Sequence, residues 1–217
     1  MAATTTQTEE QVSLELLVNK ETNKVLFAEA GKDFVDVLFS FLTLPLGTIA
    51  RLAEKKSNMG PVTVGCLNKL YRSVKDLDEE YLRTDTTKEM LLQPTNSSEN
   101  YCSTLKLNID DTKPTVYFLC TKFSGCTSSH YLNISRDTKC GCGSYYTRSV
   151  TLKHSAWKGF VNGNSSFVIT DDLVVMPNSM QFTSLELLQN LEINGGSSVK
   201  ELTVNVTKDK VVNFLFC

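Results

Sequence analysis

The chain has 217 residues, of which 41% are hydrophobic and 21% are charged, and its formal net charge is −2 at pH 7. These values are those of an ordinary soluble globular protein, so they exclude a disordered chain and a fibrous repeat. The small negative charge predicts no general attraction to nucleic acid or to anionic membranes, and it leaves a local basic patch as the route to such partners.

The beginning of the chain predicts the compartment. Residues 1–11 are polar and have neither a basic region nor an apolar run, so we expect a disordered tail and no secretory signal. Without a signal, the seven cysteines are expected to be reduced, in the cytoplasm or the nucleus, where clustered cysteines favour metals over disulfides. The longest apolar stretch, 34–50, contains Asp36 and Pro45 and is shorter than the roughly twenty residues of a bilayer span, so we expect no membrane span.

The N-terminal part, residues 12–100, has the pattern of a β-hairpin followed by helices. A polar turn at 19–23 separates two apolar segments, which predicts a pair of strands. Beyond Gly31, apolar residues recur with the spacing of one helix face, and Pro45 suits the first turn of the next helix. The predicted elements are strands at 13–18 and 24–29 and helices at 32–43, 45–55, 62–77 and 80–92.

A polar segment at 94–100 separates this part from a middle insert, residues 101–160, in which extended segments surround a group of cysteines. The C-terminal part, residues 161–217, resumes regular patterning, and we expect it to pack with the N-terminal part as one domain. Extended segments are predicted at 105–110, 115–120 and 149–153, strands at 166–170, 173–176 and 202–206, and helices at 182–191 and 208–216. The predicted fold class is α+β, with strand and helix units at both ends and a small zinc-ribbon-like insert in the middle.

The two ends of the chain also resemble each other. Segments 26–35 and 202–211 both read as a strand, a small residue, the pair Lys-Asp and an apolar helix. Ordinary helix-start chemistry explains this pattern, because an acid is stabilised at the positive end of a helix. An internal duplication is the alternative.

Four cysteines of the insert form two close pairs, Cys120 with Cys126 and Cys140 with Cys142, spaced C-x5-C and C-x-C. Two such pairs provide the four tetrahedral ligands of a structural zinc ion, and four protein ligands leave no open position for a substrate. Buried structural thiols and a redox pair are the alternatives. His130 lies between the two pairs and is a spare ligand.

The insert also combines basic and aromatic residues, which is typical of surfaces that bind phosphates and stack bases. Between positions 116 and 160 the single acid Asp137 is accompanied by six basic residues: Lys122, Arg136, Lys139, Arg148, Lys153 and Lys158. Nucleic-acid binding is therefore the alternative function. The simpler interpretation is that the aromatic residues form the core of the insert and the charges its solvated face.

No phosphate-binding loop, dinucleotide-binding turn, zinc-protease motif or nucleophile elbow occurs in the sequence. An enzyme of unrecognised type, using the Asp171–Asp172 turn together with Asp33, is the third hypothesis. A helix start at Asp33 and a turn at Asp171–Asp172 explain these acids more simply.

Four segments match a family pattern: FAEAGKDFVDVLFSFLTLPLG at 27–47, VGCLNKLYRSV at 64–74, CGCG at 140–143 and ITDDLVVMPNS at 169–179. From about residue 12 onward the chain resembles the plant family named domain of unknown function 674. The resemblance implies cysteines near positions 120 and 126, a plant origin and a cytoplasmic or nuclear location, and it carries no activity. We therefore expect a non-enzymatic interaction or scaffold module with an unidentified protein partner and one zinc ion, bound by Cys120, Cys126, Cys140 and Cys142.

Overall fold

The structure is a computed structural model that describes residues 10–56, 64–83, 85–128, 131–136, 138–151, 159–179, 186, 188–189 and 198–215. In chain order the elements are β1 (Gln11–Asn19), β2 (Val25–Gly31), α1 (Lys32–Ser40), α2 (Leu46–Lys56), α3 (Leu67–Asp76), α4 (Asp85–Leu92), α5 (Glu99–Cys102), β3 (Tyr117–Cys120), β4 (Leu132–Asn133), β5 (Tyr146–Val150), β6 (Ser166–Thr170), β7 (Val175–Pro177), β8 (Val199–Thr207) and α6 (Lys208–Leu215). Short 3-10 turns occur at Phe41–Thr43, Glu79–Tyr81 and Phe123–Gly125.

The larger sheet has five strands in the order β7-β6-β2-β1-β8, and every neighbouring pair is antiparallel. It combines strands from both ends of the chain, because β1 pairs with β2 on one side and with β8 on the other. Leu14, for example, lies opposite Ala30 of β2 and Val204 of β8.

The main hydrophobic core lies on one face of this sheet. Val12 and Leu14 of β1 and the alanines of β2 pack there against α1, α2 and α6, whose buried residues include Val37, Leu52 and Val211. Successive side chains of a strand point to opposite faces, so Leu17, Phe27 and Val168 form a second, smaller cluster with Leu188 on the other face.

The α+β class is confirmed, with a group of cysteines in the middle of the chain. The hairpin, the first two helices and the strands at 166–170 and 202–206 occur where they were predicted. The helix predicted from residue 62 begins at Leu67, and the one predicted from residue 80 begins at Asp85, after a 3-10 turn. Residues 1–9 of the predicted tail, most of the helix predicted at 182–191, and His130, Asp137, Lys153 and Lys158 lie outside the described residues. The domain boundaries stay a prediction.

The segment at 105–110, which was predicted to be extended, forms no strand, and the backbone bends at 105–107. Leu107 and Ile109 are fully buried in the main core, and polar side chains next to them bond to the local backbone. The Asn108 side chain accepts a hydrogen bond from the Asp110 amide (3.1 Å), and the Asp110 carboxylate accepts one from the Thr112 amide (2.9 Å). Such local bonds compete with a strand for the backbone donors.

A buried carboxylate fixes the place where the chain returns from the insert. Asp36 of α1 is 2% exposed and accepts hydrogen bonds from the backbone amides of Phe160 (2.7 Å) and Val161 (2.9 Å). Lys32, one helical turn earlier, forms a salt bridge with the same carboxylate. Gly159 precedes this contact with φ +75°, and a Cβ there would lie 2.1 Å from Asp36 Oδ2. Only glycine fits so close to the carboxylate.

The other end of the insert is held to α2. Asp111 accepts a hydrogen bond from Arg51 (2.5 Å) and pairs with Lys55. Both attachments lie on the helices that follow the hairpin, so the insert begins and ends beside them.

Within the described part of the chain, no single helix has the length and apolar character needed to cross a bilayer. Residues 32–43 and 46–55 reach that length and composition only as a pair, with a bend of 112° between them.

Replacing Gly159 by alanine should destabilise the fold by about 2 kcal/mol or more, because it strains the backbone and breaks the amide contacts of a buried carboxylate. Gly163 is the matched control, since a Cβ at that position meets no atom within 4 Å. Gly163→Ala should leave stability unchanged or slightly raised. Urea unfolding measures both, and equal stabilities for the two variants would contradict the role of the Asp36 contact.

Candidate metal centre

The four predicted ligands come from two turns of a small module, residues 116–151, which we call the cysteine module. Its sheet has the order β4-β3-β5. Cys120 is the last residue of β3, and Cys126 follows the 3-10 turn Phe123–Gly125. Cys140 and Cys142 lie in the turn that precedes β5.

The turn that carries Cys140 and Cys142 is closed by backbone hydrogen bonds. The Cys140 amide donates to the Ser144 carbonyl (2.7 Å), and the Gly143 amide donates to the Cys140 carbonyl (2.8 Å). Gly143 adopts φ +84°, which glycine reaches without strain. The tight turn brings both thiols of the C-x-C pair to the same side.

The four sulfur atoms converge. All of them lie within 4.8 Å of one another, with 3.5 Å between the Sγ atoms of Cys120 and Cys142 and 3.5 Å between those of Cys126 and Cys140. A tetrahedron of Zn–S bonds of about 2.3 Å requires sulfur–sulfur distances of about 3.8 Å, whereas a disulfide requires about 2 Å. The donor set and its spacing therefore fit a tetrahedral metal ion.

Hydrogen-bond donors surround the C-x-C sulfurs. The backbone amide of Cys142, assisted by the Tyr146 hydroxyl, lowers the pKa of Cys140 to about 6. The backbone and side chain of Ser144 lower the pKa of Cys142 in the same way. These donors stabilise the thiolate, which is the form that binds metals.

The other two thiols favour the protonated form in the absence of a cation. Burial raises the pKa of Cys120. At Cys126 a backbone hydrogen bond at Ser128 lowers the pKa, but burial and the neighbouring sulfurs outweigh it and raise the pKa to about 12. Several thiolates at this distance repel each other unless a cation lies between them.

The chain matches the family model described as "Protein of unknown function (DUF674)" over residues 8–217. The protein belongs to the DUF674 family. The predicted resemblance is thus confirmed over essentially the whole chain. No curated protein and no solved structure matches it.

Among the described residues of this DUF674 protein, two further cysteines lie elsewhere. Cys66 is exposed just before α3, and Cys102 is buried beside Thr43 and Asn96. Among the described residues, the group of four is the one with metal-binding geometry. A closed set of four thiolates holds structure and offers no position for a substrate.

The acids of the enzyme hypothesis lie apart in the DUF674 fold. Asp33 follows the end of β2, where Gly31 pairs with Ser166, whereas Asp171 follows the opposite end of β6, where Thr170 pairs with Phe27. The Oδ2 atom of Asp33 lies 3.8 Å from the Nζ atom of Lys106. The length of the β2–β6 pair therefore separates the two carboxylates.

Five of the six aromatic residues of the cysteine module divide into two sets, and the sixth, Tyr117, is half-buried in β3. Tyr146 is buried with the cysteines and Phe118 is half-buried against them, as the simpler interpretation predicted. Phe123, Tyr131 and Tyr145 are each about half exposed, and here that interpretation is wrong.

The hydrogen bond from Tyr146 to Cys140 is a feature of the site that the sequence patterns did not predict. The available signal was its position at the start of a strand four residues beyond Cys142. A hydroxyl that donates to a ligand atom orients that ligand and tunes its basicity.

Tyr146→Phe should weaken zinc binding about tenfold, because it removes a hydrogen bond to a ligand sulfur and leaves the ring in place. Tyr145→Phe removes the neighbouring exposed hydroxyl and should leave the affinity unchanged. Competition with a chromophoric chelator measures both dissociation constants. An equal loss in the two variants would show that the Tyr146 contact is not specific.

Proposed function

We propose that this DUF674 protein is a non-enzymatic interaction or scaffold module whose cysteine module is held together by one structural zinc ion. The observation that carries the proposal is the convergence of the four sulfurs within 4.8 Å. Four thiolates without an open coordination position are typical of structural zinc sites. Because zinc–thiolate sites persist in reducing compartments, we further propose a location in the cytoplasm or the nucleus.

The cysteine module needs such an ion because its own core is small. Among its described residues, only Cys120, Cys140 and Tyr146 are buried, and β4 has two residues. A core of this size does not offset the conformational entropy of ordering the module. Metal binding supplies the missing free energy in small modules of this kind.

Exposed apolar side chains support an interaction role. Four apolar side chains are each exposed by 60% or more. They are Leu42 in the 3-10 turn after α1, Leu46 in α2, Leu70 in α3 and Met90 in α4. Exposed apolar side chains that form a contiguous patch are typical of surfaces that bind other proteins.

The purified full chain should contain one equivalent of zinc by elemental analysis. Cys140→Ser should reduce this below half an equivalent and lower the melting temperature, because one ligand is lost. Cys66→Ser, which removes an exposed cysteine outside the site, is the control and should change neither value. Less than half an equivalent of zinc in the wild type, with four freely titrating thiols, would overturn the proposal.

The second candidate is binding of single-stranded nucleic acid, and the exposed aromatic residues favour it. Phe123 and Tyr131 contact each other edge to face with ring centres 5.7 Å apart, and the Lys139 ammonium lies 5.9 Å from the centre of the Tyr145 ring. No acidic residue occurs among the described residues of the cysteine module. Half-exposed rings beside cations can stack bases and contact phosphates.

Phe123→Ala should weaken binding of a fluorescent single-stranded RNA by about tenfold, because one stacking contact is worth about 1–3 kcal/mol. Tyr81→Ala, which removes a ring that is 70% exposed outside the cysteine module, is the matched control. Lys139→Gln should reduce the salt dependence of binding. If the wild type binds no RNA at low salt, this candidate is excluded.

A further inference from the structure

The four sulfurs of the cysteine module form two pairs that join its two turns. The Sγ atoms of Cys120 and Cys142 are 3.5 Å apart, and so are those of Cys126 and Cys140. Each pair takes one cysteine from each turn. The two pairs share no cysteine, so a disulfide can form in both of them in the same molecule.

The two cysteines of each pair differ in exposure. Cys126 and Cys142 are partly exposed, whereas Cys120 and Cys140 are buried, with 1% and 3% of their surfaces exposed. Each pair therefore combines a sulfur that a small oxidant in solution can reach with a second sulfur beside it. Cysteines that respond to oxidants are typically accessible and have such a neighbour, which reacts with the first oxidation product.

The backbone beside the sulfurs is held by bonds that use no sulfur and no ion. The Cys120 amide donates to the Tyr131 carbonyl (3.0 Å), and the Thr121 amide donates to the Tyr145 carbonyl (3.0 Å). These bonds join the end of β3 to the segments before β4 and β5. Because a disulfide has about 2 Å between its sulfurs, each sulfur of a pair at 3.5 Å has to move by only about 0.7 Å. The side chains can make this movement while the strands stay paired.

We propose that a peroxide converts the zinc site into two disulfides, Cys120–Cys142 and Cys126–Cys140, and thereby releases the zinc ion. This inference rests on the proposed function, because its starting state is a zinc ion bound by four thiolates. It adds a reversible redox switch to the structural role of the site.

The same two steps occur in each pair. The thiolate of the partly exposed cysteine attacks one oxygen of hydrogen peroxide, the O–O bond breaks, and the departing hydroxide takes up a proton to form water. The thiolate of the buried cysteine then attacks the resulting sulfenic acid: the S–S bond forms, the S–O bond breaks, and the second hydroxide is protonated to water. Each disulfide thus consumes one peroxide and two protons, and two electrons pass from the sulfurs to the peroxide. Once both disulfides have formed, no thiolate remains to bind the ion, which leaves as Zn²⁺.

The two disulfides join the same turns that the zinc ion joins. They connect cysteines separated by 22 and 14 positions along the chain, and a disulfide stabilises a fold by restricting the unfolded chain. The oxidised module therefore loses its ion and keeps its strands. Disulfides are transient in reducing compartments, so cellular thiols restore the four cysteines and the zinc site forms again.

Treatment of the full zinc-loaded chain with hydrogen peroxide tests the switch. A chromophoric chelator measures the zinc released, and mass spectrometry of unreduced peptides maps the disulfides. We expect release of one equivalent of zinc, formation of the two proposed disulfides, and recovery of bound zinc after addition of dithiothreitol and zinc. Cys66 is exposed and lies outside the site, so its oxidation in the same sample shows that the peroxide dose is sufficient. Retention of zinc after complete oxidation of Cys66, disulfides within one turn, or conversion of the four thiols to sulfinic acids would each overturn the proposal.

Two reciprocal variants test the pairing, and their readout requires no bound zinc. Cys142→Ser leaves Cys120 without its partner, so peroxide should form only the Cys126–Cys140 disulfide. Cys126→Ser should form only the Cys120–Cys142 disulfide. A disulfide between Cys120 and either Cys126 or Cys140 in the first variant would overturn the pairing.

The zinc content before peroxide is added tests the proposed function, whereas the response to peroxide tests the switch, so the two can fail separately. Melting temperatures test whether the oxidised module keeps its fold. The oxidised, zinc-free chain should melt above the reduced chain from which a chelator has removed the zinc, because only the former has the two disulfides. An equal or lower melting temperature of the oxidised chain would contradict the retained fold.

Discussion

The position of the buried Asp36 carboxylate is the constraint on which the rest of the fold depends. The carboxylate accepts hydrogen bonds from two backbone amides of the segment that leaves the insert. These bonds place the following strand, β6, beside β2. The chain can then add β7 on one edge of the sheet and β8 on the other. Burial of a carboxylate without hydrogen-bond donors costs folding free energy. Few other arrangements of the return segment would supply the Asp36 carboxylate with its donors.

The two halves of the structure obtain their stability from different sources. The large sheet buries an extensive apolar face under three helices, and burial of apolar area is the dominant favourable term in folding. The cysteine module has three buried residues among those described, and the proposed zinc ion would supply the stability that this small core lacks. The attachments at Asp36 and Asp111 connect the insert to α1 and α2 independently of that ion.

Sequence patterns predicted the features that depend on local periodicity or on residue type. The hairpin, α1 and α2 follow from apolar spacing, and the four-thiol site follows from two close pairs of cysteines. The segment at 105–110 was predicted to be extended from its apolar alternation, but it forms no strand, because the side chains of Asn108 and Asp110 bond to the nearby backbone. The role of Asp36 depends on Phe160 and Val161, which are 124 and 125 residues away along the chain, and no local pattern records such a contact. The donors around Cys140 are near it in the sequence, but residue spacing alone does not show which groups form hydrogen bonds.

The likeness between the two ends of the chain acquires a spatial meaning in the fold. β2 and β8 both run antiparallel to β1, so they run in the same direction on either side of it, and each leads directly into a helix that begins with Lys-Asp. In this correspondence Phe34 of α1 and Lys210 of α6 occupy equivalent places, and both line a cavity of about 410 Å³ on the core face of the large sheet. One unit contributes an aromatic ring and the other an exposed lysine, so the likeness between the two ends of the chain lies in their backbones and not in the side chains that they present.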